Sequence, residues 1–108
     1  MGIFAVTTAK GPAWDPALDI REQDGWDKHA AFANGLVDQG VTIFGGPIGT
    51  GGDEGNAADV ALVVMELPDA DAVHRAFAVD PWIVSGVLRL GSVRPWTLWL
   101  DSRPGGQN

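Results

Sequence analysis

The order of the apolar segments is the feature that most limits which fold this chain can adopt. Hydrophobic residues recur with the period of a strand, then of a helix, then of a strand, and this series occurs twice. Glycines and prolines separate six such segments. In chain order they are a strand at Ile3–Thr8, a helix at Trp26–Gln39, strands at Val41–Phe44 and Asp59–Leu67, a helix that starts after Asp69, and a strand at Val87–Leu100. The order βαββαβ predicts a ferredoxin-like α+β sandwich, in which two helices cover one face of an antiparallel four-stranded sheet.

The composition of each strand predicts its place in this sheet. Ile3–Thr8 and Asp59–Leu67 are the most uniformly apolar strands, which is typical of the buried middle of a sheet. Val41–Phe44 is short and stops at Gly45-Gly46-Pro47, and the last strand contains Pro95, so we expect both at the edges. The fold then implies the spatial order fourth, first, third, second.

Capping residues predict where the helices begin and end. Asp24 is the expected N-cap of the first helix, unless that helix starts earlier, near Arg21, and Gly40 ends it. Asp69 is the expected N-cap of the second helix. Asp80-Pro81 breaks that helix and predicts one further turn over residues 81–85, which Gly86 closes.

Composition excludes several classes of protein. The chain has 108 residues and no cysteine, with 14 acidic and 7 basic side chains and a net charge of -7. This balance argues against binding to nucleic acid or to anionic membranes, and the missing cysteine excludes disulfides and thiolate chemistry. No apolar run approaches the length of a membrane helix. We expect one domain over residues 1–101, a flexible polar tail over residues 102–108, and a soluble, cytoplasmic protein.

The predicted topology gathers the long connections at one end of the sandwich. The connections over residues 10–25, 45–58 and 80–86 are long and meet there, whereas those at the other end are tight. Binding chemistry is often placed where irregular loops converge over a rigid base. The same end holds the start of the first helix, with His29, and the end of the second, with Asp80, so these two side chains are predicted neighbours.

His29 is the strongest candidate for a general acid or base, since proton transfer near neutral pH most often uses histidine. Asp80 would accept one ring N–H and orient the imidazole. Simpler interpretations compete: His29 as a half-buried residue at a helix edge, and Asp80 as only the cap of the turn after it. The two histidines, His29 and His74, fall on different elements, so we predict neither a metal site nor a cofactor.

Other candidate residues would shape a pocket. Trp14, in the first long loop, and Trp26, at the start of the first helix, are expected to wall it. Arg94 is expected to bind an anionic group, to form a dimer contact, or to be an exposed arginine at the sheet edge. Trp82, Trp96 and Trp99 are expected in the core or an interface. The glycine-rich stretch over residues 45–52 lacks the lysine of a phosphate-binding loop, so we interpret it as a hairpin connection whose residues 49–55 form a flap.

The chain resembles the YCII-related family of small bacterial proteins over nearly its full length. The matching residues, in order, are Trp26-x-x-His29-x-x-Phe32, Leu36, Gly40, Gly45-Gly46-Pro47, Asp80-Pro81-Trp82, Gly86 and Arg94-Pro95-Trp96. The resemblance implies a ferredoxin-like fold that dimerises through its sheets, as in dimeric α+β barrels. It also implies that His29 and Asp80 match the His–Asp pair thought to form the family's active site. Gly46, Pro47 and Trp82 join Trp14, Trp26 and Arg94 as expected substrate contacts.

The resemblance implies a class of activity rather than a reaction. Relatives include enzymes of chlorinated-aromatic breakdown that act on muconolactone-type lactones, so we expect a lyase or isomerase whose His–Asp dyad moves a proton on a small apolar or carboxylated metabolite. The alternatives are a dimer that binds a small ligand without converting it, and an interaction module with a vestigial site.

Overall fold

The computed structural model describes residues 1–49 and 60–104 of the chain. These residues form the predicted ferredoxin-like α+β fold, a four-stranded antiparallel sheet with helices. The elements in chain order are β1 (Gly2–Lys10), a 3₁₀ turn (Ile20–Glu22), α1 (Trp26–Asp38), β2 (Thr42–Ile48), β3 (Val60–Leu67), α2 (Ala70–Phe77), α3 (Pro81–Ser85) and β4 (Leu88–Pro95).

The sheet has the predicted strand order. Its strands lie in the order β2-β3-β1-β4, and each neighbouring pair is antiparallel. The two most apolar strands, β1 and β3, occupy the middle, and the two strands with proline, β2 and β4, form the edges. This arrangement agrees with the rule that proline, which has no N–H to donate, is confined to edge strands and strand ends.

Strict alternation along β1 separates the two faces of the sheet. Phe4, Val6 and Thr8 are buried, whereas the residues between them are only partly covered. The buried face packs under the helices, where Phe4, Val6, Met65, Val73 and Phe77 form the core. Because side chains alternate across a strand, Lys10 continues the row of Thr8 on this covered face.

The two helices after β3 start and stop as predicted. The Asp69 side chain accepts a hydrogen bond of 2.8 Å from the Ala72 N–H at the start of α2, whose Val73 and Phe77 are buried. Asp80 caps α3 in the same way, with Pro81 in its first turn. Gly86 ends α3 with a φ of 85°, a left-handed conformation that favours glycine.

The predicted start of α1 and the predicted end of β2 were both wrong. The N-cap of α1 is Gly25, with a φ of 80°, and not Asp24. The backbone carbonyl of Asp24 instead accepts a hydrogen bond from the Trp82 indole. Strand β2 also does not stop at Phe44 but continues through Gly45, Gly46 and Pro47 to Ile48, since an edge strand needs hydrogen bonds along one side only.

The last strand is shorter than predicted. It ends at Pro95, and only the Trp96 N–H extends the pairing, with a 2.9 Å hydrogen bond to the Ile3 carbonyl. Trp99 is 70% exposed and Leu100 is 93% exposed, so neither belongs to the core of this chain.

Beyond them, the hydrogen-bonded guanidinium of Arg103 lowers the pKa of Asp101 to about 2. The predicted tail at residues 102–108 lies partly outside the described residues.

The first long connection is tied to the chain around α3. The Gly11 N–H donates to the Val87 carbonyl (2.8 Å) and the Ala13 N–H donates to the Gly86 carbonyl (2.9 Å). Further along, the buried side-chain amide of Gln23 accepts from the Asp15 N–H and donates to the carbonyls of Asp15 and Leu18. These bonds give the loop a fixed course.

Within residues 1–49 and 60–104, every helix is too short or too polar to cross a membrane.

Candidate active site

His29 and Asp80 meet at the loop-rich end of the sandwich, although 51 positions separate them in the sequence. His29 lies in the first turn of α1, and Asp80 immediately precedes α3. The His29 Nδ1 lies 2.9 Å from the Asp80 Oδ1, within hydrogen-bond distance. The topology therefore brings together the two residues that the sequence singles out as a dyad.

The Asp80 carboxylate forms hydrogen bonds to two partners. Its Oδ1 accepts from the Trp82 backbone N–H at 2.9 Å, as the cap of α3, and from the imidazole. The residue is 1% exposed, so a hydrogen-bonded environment replaces water around the carboxylate. The cap of α3 and the contact with the His29 ring, which the sequence does not make exclusive, coexist on this oxygen.

The contact with Asp80 determines which nitrogen of the His29 ring carries the proton. A carboxylate only accepts, so Nδ1 carries the proton, and in the neutral ring Nε2 is left as an acceptor. The His29 side chain is 17% exposed and lines a cavity, and its Nε2 makes no hydrogen bond to the part of the chain that the structure describes. In the neutral ring, Nε2 is therefore the nitrogen available to accept a hydrogen bond beside the cavity.

Trp82 supports the imidazole from behind. The two rings stack with centroids 4.1 Å apart and planes 8° from parallel. The indole Nε1–H donates to the Asp24 carbonyl at 2.6 Å, which ties α3 to the start of α1. Trp82 is 1% exposed and does not line the cavity, so the structure does not place it as the substrate contact that the family pattern predicts. Its indole face instead favours a positive charge on the stacked ring.

The cavity beside His29 has a volume of about 370 Å³ and largely apolar walls. It lies between α1 and the helix-covered side of the sheet. Besides His29 and Asp80, four of the six predicted substrate contacts line it: Trp14, Trp26, Gly46 and Pro47. The cavity is also lined by Phe32, Ile20 and Leu88, which were not predicted, although Phe32 follows His29 by three positions and so shares its side of α1.

Arg94 is not part of this cavity. It pairs with Ala5, while its neighbour Val93 packs against the core, so Arg94 projects from the opposite face of the sheet. Among the described residues that line the cavity, Lys10 is the cation, and its ammonium lies 5.1 Å from the centre of the Trp14 ring. The sequence offered a signal for Lys10, namely its even spacing from the buried Val6 and Thr8. The predicted flap over residues 49–55 lies, apart from Gly49, outside the described residues.

Comparison with known proteins supports the fold. No protein-family model matches the chain, and a sequence comparison with curated proteins finds no match. Among solved structures, the chain is similar to 5-chloro-2-hydroxyhydroquinone dehydrochlorinase (TftG) from Burkholderia phenoliruptrix AC1100, in complex with 2,5-dihydroxybenzoquinone. The TM-score is 0.59 at 23% sequence identity, and the match covers 89% of this chain and 92% of that chain. The likeness establishes a shared architecture over almost the whole of both chains.

Proposed function

We propose that this protein is a small-molecule enzyme of the YCII-related family, in which His29 transfers a proton to and from a substrate bound in the cavity. The observation that carries the proposal is the 2.9 Å contact between His29 Nδ1 and Asp80 Oδ1, which leaves Nε2 as the acceptor beside the cavity. An oriented imidazole with a buried carboxylate partner is the arrangement used for general acid–base catalysis.

The proposed step begins with proton transfer from a substrate C–H or O–H to Nε2. The imidazolium that forms lies between the negative charge of Asp80 and the indole face of Trp82, and both stabilise it. The electron pair left on the substrate then has two outcomes. Return of the proton to a different atom is an isomerisation, and departure of a leaving group with its own electron pair is an elimination.

The structural neighbour suggests a starting point for the search for a substrate. That protein is a dehydrochlorinase bound to a six-membered quinone ring. Loss of HCl is an elimination of the kind described above, because a base removes the proton and chloride leaves with the bonding electrons. A cavity of about 370 Å³ is sufficient for one substituted ring. We therefore propose single-ring compounds as the class to test first.

The dyad itself is tested by nitrogen NMR of the imidazole. With His74→Gln, only His29 remains, so its ring signals are unambiguous. We expect the neutral ring to carry its proton on Nδ1, since a carboxylate accepts there. Asp80→Asn should shift the tautomer balance, because the anionic acceptor is lost. A ring that behaves as a free imidazole and does not respond to Asp80→Asn would contradict the dyad.

Turnover separates an enzyme from a binding protein. The assays are chloride release from 5-chloro-2-hydroxyhydroquinone and incorporation of solvent deuterium into a panel of single-ring carbon acids, which detects proton transfer without assuming a product. Catalysed exchange or release supports the enzyme. Binding of 2,5-dihydroxybenzoquinone without either activity would favour the alternative, a dimer that holds a small ligand.

We also propose that the protein forms a homodimer through the sheet face that the helices leave open. The family resemblance implies this assembly, and large apolar side chains such as Phe44 and Trp99 remain exposed in the single chain. Light scattering at micromolar concentration should give twice the 11.4 kDa mass of one chain. A clean monomer mass under these conditions would exclude the dimer.

A further inference from the structure

We propose that Lys10 binds an anionic oxygen of the substrate, so that the cavity selects a planar conjugated anion, either a phenolate or a carboxylate. The inference rests on the proposed function, because it concerns the same cavity. It adds the charge of the substrate and the residue that recognises it. Neither the family pattern nor the sequence analysis assigns a role to this lysine.

The backbone directs Lys10 to the cavity. Lys10 is the last residue of β1 and pairs with Leu88 of β4, which also lines the cavity. Its side chain lies on the helix-covered face and is half-buried. The ammonium lies 5.1 Å from the centre of the Trp14 ring, which is a cation–π distance. This interaction favours a position of the ammonium beside the cavity, which Trp14 also lines.

The charge of the protein makes this position selective. The chain carries a net charge of -7, and such a field repels anions in general. Among the described residues that line the cavity, Lys10 is the one lysine or arginine. The mostly apolar walls strengthen an ammonium–anion contact, because less water screens it than at an open surface. An anion in the cavity would therefore meet a positive side chain within mostly apolar walls.

The same contact serves the proposed chemistry. Proton removal by Nε2 leaves negative charge on the substrate, and a fixed ammonium in the cavity stabilises that charge as it develops. Asp80 does not oppose this effect strongly, since its carboxylate is hydrogen-bonded to the imidazole and to the start of α3. A conjugated ring suits the aromatic side chains of Trp14, Trp26 and Phe32 in the walls.

The chain offers a matched control for the experiment. It contains two lysines, and Lys28 is exposed on α1 and does not line the cavity. Lys10→Met and Lys28→Met remove the same charge from the full-length protein. Titration calorimetry then compares two pairs of probes, benzoate with the isosteric benzamide and 4-nitrophenolate with its neutral methyl ether 4-nitroanisole, at a pH where the nitrophenol is ionised.

We expect the unchanged protein to bind at least one anion about tenfold more tightly than its neutral partner. Lys10→Met should abolish that preference, whereas Lys28→Met and the charge-conserving Lys10→Arg should retain it. The pair that shows the preference identifies the anionic group as carboxylate or phenolate. Circular dichroism verifies that each variant is folded.

Three results would overturn the proposal: an anion preference that survives Lys10→Met, an equal loss in Lys28→Met, or no preference for either anion in the unchanged protein. These outcomes are independent of the dyad, because binding of the probes requires no proton transfer. With His29→Gln, the anion preference should persist even if every trace of turnover is gone. Failure of the charge recognition and failure of the catalytic role are therefore distinguishable.

Discussion

Asp80→Asn should lower turnover by about 10²–10⁴-fold while the protein remains folded. The amide oxygen can still accept the Trp82 N–H, so the cap of α3 is retained. The negative charge that fixes the His29 tautomer and stabilises the imidazolium is lost. His29→Ala should have an effect of similar size, because the base itself is absent.

The two substitutions act on one unit, so their effects should not add. A double variant with both changes is expected to be little slower than either single variant. Turnover is measured by deuterium exchange or chloride release, and stability by thermal melting. Asp71→Asn, which removes the same charge from an exposed position on α2, is the matched control. Unchanged turnover in Asp80→Asn would reject the dyad, and His29→Ala that only weakens ligand affinity would indicate a binding protein.

Gly11→Ala should destabilise the fold by about 2–4 kcal/mol. A Cβ at position 11 would overlap the carbonyl oxygen of Gly86, which is backbone and cannot move independently. Relief of this overlap requires the loop to separate from α3, with loss of the hydrogen bonds from Gly11 to Val87 and from Ala13 to Gly86. Because the same loop carries Trp14, the cavity wall should be displaced as well.

Denaturant unfolding of the full chain measures this effect. The control is Gly35→Ala in α1, where a Cβ would meet nothing within 4 Å. Alanine is the better helix former, so this variant should be more stable than the unchanged protein by up to about 1 kcal/mol. The opposite signs at two glycines would show that the close approach at Gly11, and not the added methyl group in general, causes the loss. An unfolding midpoint unaltered by Gly11→Ala would contradict the interpretation.

The sequence predicted the order of strands and helices along the chain and the two caps after β3 because the physical causes are local, and the spatial order of the strands then followed from the fold that they define. Alternation, capping residues and X-Pro steps act within a few positions of one another, as at Asp69 and Asp80. The meeting of His29 and Asp80 also followed, since a βαββαβ order determines which connections share an end. The role of that pair in catalysis remains a prediction.

The remaining features depend on contacts between distant segments. A period of two shows that Arg94 and Val93 project to opposite sides, but it does not show which side the helices cover. The Gly45-Gly46-Pro47 run has the composition of a turn, and only its pairing with β3 makes it a strand. Lys10 and Gln23 likewise look like ordinary polar residues until the fold encloses them.

The prolines of the two outer strands affect how this protein behaves at high concentration. Pro47 lies within β2, and Pro95 is the last residue of β4. A strand of another molecule that pairs with an edge of the sheet needs backbone N–H groups on that edge, and proline has no N–H. The row of hydrogen-bond donors is therefore interrupted at both edges of the sheet, which disfavours the growth of fibrils by successive addition of strands.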